Sequence, residues 1–168
     1  FPWAITAAAA SFPAGTGLGS DNVSPKAICR LSANAVVALA ALFMAFERVG
    51  HWCDILDLVL IVLLPKPDGG RRPIGLFPTL IRIWMRTRMC ITRAWEIANS
   101  MPYIFGGTGM GAQRAAWQHA FTCEAAALSQ DECASGLLDL VKAFETIPHA
   151  IPVRLAHEKG YNMLLLRL

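Results

Sequence analysis

The sequence has no apolar run long enough to cross a lipid bilayer. Its longest apolar runs are residues 35–46 and residues 58–64, which contain twelve and seven residues, whereas a transmembrane helix needs about 20. The first fifteen residues are apolar but lack the basic residues that begin a secretory signal peptide. We therefore expect no membrane span and no signal peptide, and we interpret both runs as buried core elements.

Charged residues are also scarce: they make up 16% of the chain, against 55% hydrophobic residues, and the net charge is +3. This apolar content argues against intrinsic disorder, and no strongly basic or acidic tail is present. The length of 168 residues fits one domain or two partial ones. The mean hydropathy of +0.43 is high for a free-standing domain. We therefore expect either that much of the surface is covered by protein that is missing from this chain, or that the chain aggregates.

The ends of the sequence suggest a piece of a longer protein. It begins at Phe1 rather than Met, and its last residues, 164–168, stop inside a mostly apolar run without a turn or a cap. We expect a fragment of a longer reading frame that is poorly soluble on its own.

The cysteines lack the spacing of a metal site or of a disulfide framework. There are five of them, none in C-x-x-C spacing, and the odd number does not favour paired disulfides. We predict buried free thiols in a reducing compartment. The four histidines form no Cys/His motif, so a zinc site is not expected.

Turn and cap residues divide the chain into elements. Residues 1–20 are rich in Ala, Gly and Ser and predict a poorly ordered lead-in. Two apolar segments flank the turn residues 66–70 and predict a β-hairpin with a basic loop. Helices are predicted over residues 25–32, 33–48, about 79–98, 112–128 and about 149–159, and strands over residues 55–64 (buried), 71–76 and 136–141.

Positive charge is concentrated in one segment. Residues 66–93 contain seven basic residues and one acidic residue. Lys66, Arg71 and Arg72 flank the Gly-Gly turn, where cations could approach a phosphate. On the following helix, Arg82, Arg86 and Arg93 share one side, opposite an apolar side. Both features fit a nucleic-acid backbone; the alternatives are an ordinary solvated hairpin tip, which taken alone is favoured, and an ordinary solvated helix face.

Two other patterns could carry chemistry. Asp139 lies among apolar residues of a predicted strand, where a carboxylate is costly to bury unless it is paired or bound to a metal; alternatively it is an exposed residue at the strand end. Residues 107–112 fit G-x-G-x-x-A, and Glu132 follows about 20 residues later, as in a dinucleotide-binding fingerprint. The preceding strand is weak and contains Pro102, so we favour this fingerprint less.

Taken in order, these segments resemble a known family. LLPKPDGGRRPIGLFPTLIRIWMR, residues 63–86, resembles the fingers of reverse transcriptases from non-LTR retrotransposons and group II introns. GLLDLVKAFETIPHAIPVRLAHEKGY, residues 136–161, resembles the first catalytic-aspartate motif of the same family. GTGLGSDNVSP, residues 15–25, is similar to its entry segment.

The resemblance implies an α+β, helix-rich fold that comprises the fingers and a partial palm, with one fingers hairpin. It implies a lead-in over residues 1–20, the fingers and following helices over 21–130, and the start of the palm over 131–168, with the C-terminal palm and the thumb missing. It implies an RNA-directed DNA polymerase that uses two Mg²⁺ (or Mn²⁺) ions, an RNA template, a DNA primer and dNTPs. An intracellular location is expected, and a nuclear one by family analogy alone.

The resemblance also implies roles for single residues. Asp139 matches the first metal-binding aspartate, and Phe144 matches the aromatic side chain that excludes a nucleotide 2′-OH. Lys66 and Arg72 match cations that contact the triphosphate, and Arg82, Arg86 and Arg93 are expected near the nucleic-acid backbone.

The sequence departs from this family in one respect. Its members carry further carboxylates in a later x-x-D-D hairpin, and no Asp-Asp pair occurs in this sequence. We therefore expect this chain to be inactive alone. Two alternatives remain: a non-catalytic nucleic-acid-binding relic of a reverse transcriptase, and a small dinucleotide-binding α/β domain built on residues 107–112.

Overall fold

The computed structural model describes residues 1–107, 109–139 and 146–168, and these form a helix-rich α+β structure. Within those ranges the one sheet is a two-stranded antiparallel hairpin. The chain forms two compact units, one of Phe1–Cys90 with Asn162–Leu168 and one of Ile91–Tyr161. The mixed, helix-rich fold class is thus confirmed, whereas the division into fingers and palm stays a prediction.

Most of the predicted elements are present, with small shifts at their ends. The helix predicted over 25–32 is shorter and ends at Ile28. A single 3₁₀ turn, Asp54–Leu56, precedes the hairpin. The helices are α1 (Pro2–Ala10), α2 (Pro25–Ile28), α3 (Ala33–Val49), α4 (Thr79–Ala98), α5 (Ala112–Leu128), α6 (Ala150–Glu158) and α7 (Met163–Leu166), and the strands are β1 (Leu60–Pro65) and β2 (Arg71–Leu76).

Local chemistry sets both ends of α3. The Ser32 side chain accepts a hydrogen bond from the Ala35 backbone N–H at 3.3 Å and so satisfies one of the free donors of the first turn. At the other end, Gly50 adopts a left-handed conformation with φ of 73°, which glycine reaches without a steric penalty. Its N–H donates to the carbonyl oxygen of Phe46 at 2.7 Å.

Helix α1 lies in the segment for which the sequence predicts a poorly ordered lead-in. Pro2 begins the helix, where a missing N–H costs nothing, and the alanines that follow have the highest helix propensity. Ile5 and Ala9 are completely buried. The small residues of this segment predict poor order. The segment is nevertheless helical, because these side chains pack against the core.

Asp21 fixes the start of α4 from far away in the sequence. Its carboxylate accepts a hydrogen bond from the Thr79 backbone N–H at 2.6 Å, and the Thr79 hydroxyl donates to the carbonyl oxygen of Val23 at 2.5 Å. Gly19 lies so close to the same turn that an added Cβ would clash with the Phe77 carbonyl oxygen. The segment around residues 19–23 therefore holds the first turn of α4 in place.

Aromatic side chains form the centre of the core of the first unit. The rings of Phe43 and Trp52 meet edge to face at 6.2 Å, and those of Trp52 and Trp84 at 5.4 Å. The indole N–H of Trp52 donates to the backbone oxygen of Leu168 at 3.2 Å. The buried hydrophobic residues are Ile5, Ala8, Ala9, Phe12, Ile28, Val36, Ala40, Phe43, Trp52, Leu56, Ile81, Ile83 and Trp84.

The hairpin is formed as predicted, but the prediction that its first strand is buried is wrong. Leu64 pairs with Arg72 and Pro65 with Arg71. Every residue of β1 is exposed, including Ile61 at 63% and Leu63 at 51%. Successive side chains of a strand point to opposite faces, so both faces of this hairpin are open. An apolar run with one partner strand and no covering layer stays at the surface, whatever its hydrophobicity.

Two further expectations fail in the second unit and among the thiols. Residues 136–139, the described part of the predicted strand over 136–141, form no strand, because a strand needs a hydrogen-bonded neighbour. The cysteines are not buried: four are exposed, and Cys123 is half-buried.

Across the described ranges, no helix combines the length and apolarity needed to cross a membrane.

Aromatic and polar contacts join the two ends of the second unit. The rings of Trp95 and Tyr161 meet edge to face at 5.0 Å. The indole N–H of Trp95 donates to the Lys159 backbone oxygen at 2.8 Å, and the hydroxyls of Thr92 and Tyr161 are 3.2 Å apart. These contacts join the start of the unit, at the end of α4, to the turn after α6.

Replacing Phe43 with alanine should lower the free energy of unfolding by about 3–5 kcal/mol, because it leaves a cavity beside Trp52. Urea denaturation followed by tryptophan fluorescence measures this loss. Leu42→Ala on the same helix, where the leucine is 45% exposed, should cost less than about 1 kcal/mol. Equal losses for the two variants would contradict the assigned core.

Replacing Asp21 with alanine should cost about 1–2 kcal/mol, because the first turn of α4 loses its acceptor. Asp21→Asn keeps an acceptor oxygen and should recover most of the loss. Asp57→Ala removes an exposed carboxylate elsewhere in the same unit and serves as the control. If Asp57→Ala is as destabilising as Asp21→Ala in thermal unfolding, the hydrogen bond from Thr79 to Asp21 does not stabilise the start of α4.

Candidate nucleic-acid interface

The loop between β1 and β2 is closed by its own hydrogen bonds. The Lys66 N–H donates to the Gly70 carbonyl oxygen at 2.8 Å, and the Gly69 N–H donates to the Lys66 carbonyl oxygen at 3.1 Å. The Asp68 carboxylate accepts from the Gly70 N–H at 3.0 Å. Gly69 has a φ of 83°, which few other residues adopt at low cost. The turn therefore has a defined shape, and Asp68 serves its backbone.

Three cations lie at this tip, and all are exposed: Lys66, Arg71 and Arg72. Arg71 and Arg72 are consecutive residues of a strand and therefore point to opposite faces of the hairpin. The predicted pair of triphosphate-binding cations, Lys66 and Arg72, is thus placed at one solvent-accessible tip. Positive charge on both faces suits an extended phosphate backbone better than a single small anion.

Two arginines of the predicted helix stripe have a different environment. The Arg86 guanidinium carbon lies 3.6 Å from the centre of the Phe12 ring, and Arg86 also donates to the Ser11 hydroxyl at 2.6 Å. The Arg82 guanidinium lies 5.7 Å from the same ring and donates to the Thr79 hydroxyl at 3.2 Å. Both side chains are half-buried. They pack the end of α1 against α4 within the first unit.

Arg93, the third residue of the predicted stripe, is exposed and belongs to the second unit. Helix α4 spans all three positions, as the sequence predicted. The structure nevertheless separates them by environment: two are packed on Phe12, and one is solvated.

A carboxylate that the sequence analysis did not single out organises α4. Glu47 of α3 accepts from the indole N–H of Trp84 at 2.7 Å and pairs with both Nε and Nη2 of Arg88, at 2.5 and 2.7 Å. Arg88 also lies 4.1 Å over the Phe1 ring. Arg88 therefore has a structural role in the first unit. Its charge is paired with Glu47 and is not available to a ligand. Nothing in the local sequence around Glu47 signals these contacts, because its partners lie about forty residues away.

Asp139, the predicted metal-binding aspartate, is exposed at the end of the irregular segment 131–139. Phe144, the predicted residue that excludes the 2′-OH, lies outside the described residues. In the described ranges no group of three or more His, Cys, Asp or Glu side chains could hold a metal ion. Because Mg²⁺ requires several oxygen ligands, the described residues do not by themselves fit the two-metal site that the resemblance implies.

The glycine-rich segment lacks the setting of a dinucleotide site. No strand is found in residues 101–107 ahead of it, and the sheet of the described chain is antiparallel rather than a parallel βαβ unit. Gly107 and Gly109 instead line a cleft of about 540 Å³ within the second unit, together with Trp95, Met101, Met110 and Arg114. The helix that follows, α5, is present, but the fingerprint needs the strand as well.

Comparison of the chain with protein-family models, with curated proteins and with solved structures gives no match.

Proposed function

We propose that this chain binds nucleic acid through the tip of its hairpin, as the fingers and first palm motif of an RNA-directed DNA polymerase. The observation that carries the proposal is the hairpin itself. A short, hydrogen-bonded turn places Lys66, Arg71 and Arg72 in solvent at the end of a two-stranded projection. The ligand class is a template–primer duplex, whose phosphates these cations would neutralise.

Electrostatics supports the choice of ligand. Neutralising a phosphate releases condensed counterions, so each contact contributes to an affinity that weakens with salt. At the hairpin tip, the cations have no described ion pair that competes with a phosphate; the two ion pairs of the described residues are Arg88 with Glu47 and Arg154 with Glu158. The hairpin thus places three exposed cations close together in the sequence, where a polyanion can contact all of them.

Nucleotidyl transfer would need more than this chain's described residues supply. Asp139 is one carboxylate, and two-metal catalysis needs several to hold both ions. In the resembled family the others come from an x-x-D-D hairpin, and this sequence has no Asp-Asp pair. In this proposal Asp139 contributes one metal ligand in a larger assembly, and the chain alone does not extend a primer.

A second candidate function is a nucleic-acid-binding relic of a reverse transcriptase without catalysis. The observation that favours it is that Asp139 is exposed and that the described residues hold no cluster of metal ligands. The two candidates share the hairpin interface and differ in whether Asp139 is used.

Replacing Lys66, Arg71 and Arg72 together with alanine should weaken binding of a fluorescein-labelled RNA–DNA template–primer by about 10–100-fold at low salt. The slope of log K against log salt should become shallower by about 2–3. Fluorescence anisotropy over a series of salt concentrations measures both quantities.

The control for this variant removes the same charge elsewhere. Arg30, Arg48 and Arg154 are exposed, and their triple alanine variant should bind nearly as tightly as the unmodified chain. If both triple variants lose affinity equally, binding depends on net charge and not on the hairpin.

Expression of the longest open reading frame that contains this chain tests the role of Asp139. If that frame carries an x-x-D-D pair, primer extension should be detectable and Asp139→Ala should reduce it at least about a thousandfold, since the variant removes a metal ligand. Glu132→Ala should retain activity. Primer extension that survives Asp139→Ala would refute the assignment, and a frame without the pair would favour the relic.

A further inference from the structure

Four side chains of the second unit converge next to the end of α5. The Sγ atoms of Cys123 and Cys133 are 3.7 Å apart. His119, one turn before Cys123 on the helix, has its Nε2 atom 3.7 Å from the Cys123 Sγ and 3.2 Å from the Ser135 Oγ. The contacts bring together residues of a helix and of the segment that follows it, residues 131–139.

Both thiols can be reached from solvent. Cys133 is exposed and Cys123 is half-buried. The other cysteines have different surroundings: the thiol of Cys29 lies near the backbone oxygen of Thr6, at 4.0 Å, and that of Cys90 lies near its own helix. In the described residues the 123–133 contact is the one between two cysteine sulfurs.

The contact with Cys123 affects the acidity of Cys133. The pKa of the Cys133 thiol is raised above its ordinary value, first by its hydrogen bond with Cys123 and then by the charge of Cys123. The His119 Nε2 atom, 3.7 Å from the Cys123 Sγ, is placed to accept the proton of that thiol. We therefore assign Cys123 as the thiol that reacts first, because the thiolate is the nucleophile in thiol–disulfide exchange.

We propose that Cys123 and Cys133 form a redox-active dithiol that exchanges with a small-molecule disulfide and closes into an intrachain disulfide. A disulfide bond has sulfur atoms about 2.0 Å apart, so the two Sγ atoms need to approach by about 1.7 Å. Residue 133 belongs to a segment without helix or strand. Closing the bond therefore breaks no secondary structure.

The exchange has two balanced steps. Cys123 transfers its proton to His119, and its thiolate attacks one sulfur of the small disulfide; the S–S bond of that molecule breaks, and one thiolate leaves and takes the proton. Cys133 then attacks the Cys123 sulfur of the mixed disulfide. The second small thiol leaves with the proton of Cys133, so two cysteines are oxidised and one small disulfide is reduced to two thiols.

The bond would fasten the segment of residues 131–139 to α5 by closing a loop over residues 123–133. Asp139 lies at the end of that segment. Oxidation would therefore restrict the carboxylate that we assign to metal binding. This consequence rests on the proposed function, whereas the dithiol itself does not.

Peptide mapping after equilibration with glutathione disulfide tests the dithiol in the full chain. In a Cys29→Ser, Cys53→Ser, Cys90→Ser background, both remaining thiols should disappear, and a peptide that links residues 123 and 133 should form. Adding Cys133→Ser should instead trap glutathione on Cys123, at least about tenfold above the level in the parent background. Circular dichroism checks that each variant keeps its helix content.

Two outcomes would overturn the proposal: thiols that persist in the parent background, or equal glutathione on Cys123 with and without Cys133. Neither readout requires nucleic acid or polymerase activity. Failure of the dithiol is thereby distinguishable from failure of the proposed function.

Discussion

One half-buried carboxylate, Glu47 of α3, holds helix α4 beside the core residue Trp84. Glu47 accepts hydrogen bonds from Trp84 and from two nitrogens of Arg88, so its desolvation is offset by three donors on α4. Removing one partner of such a group leaves the other unsatisfied, which costs more than the net gain of the contact. Strand β2 ends three residues before α4 begins. Together with the hydrogen bond from Thr79 to Asp21, these contacts fix the helix that directly follows the hairpin.

Local chemistry made much of the fold predictable. Ser32 and Gly50 mark the two ends of α3, and the turn residues 66–70 define the hairpin, because caps and turns act within a few residues. Burial was not predictable in the same way. The apolar β1 is exposed, whereas Ile5, Ala8 and Ala9 of α1 are buried, because burial depends on which elements pack together. The Asp21–Thr79 hydrogen bond joins residues 58 positions apart, and no local pattern indicates it.

The arginines show how one sequence pattern can have two physical outcomes. The helical spacing of Arg82, Arg86 and Arg93 predicted a single basic face. Arg82 and Arg86 instead pack on Phe12, about seventy residues earlier in the chain, where the rings attract the guanidinium groups. Four basic residues of the segment 66–93 stay exposed, and three of them, Lys66, Arg71 and Arg72, lie at the hairpin tip. The candidate interface is therefore smaller than the basic segment from which it was predicted. The proposed metal ligand Asp139 and the proposed dithiol of Cys123 and Cys133 belong to the second unit, and the sequence analysis predicted a role for Asp139 alone.

Crosslinking shows most directly whether the hairpin is the nucleic-acid contact. A template RNA that contains 4-thiouridine, annealed to a DNA primer and irradiated with the intact chain, can be mapped to the crosslinked peptides by mass spectrometry. The proposed interface predicts crosslinks within residues 60–76, competed by unlabelled template–primer. Crosslinks confined to α5 and α6, or a pattern without any hairpin peptide, would contradict it.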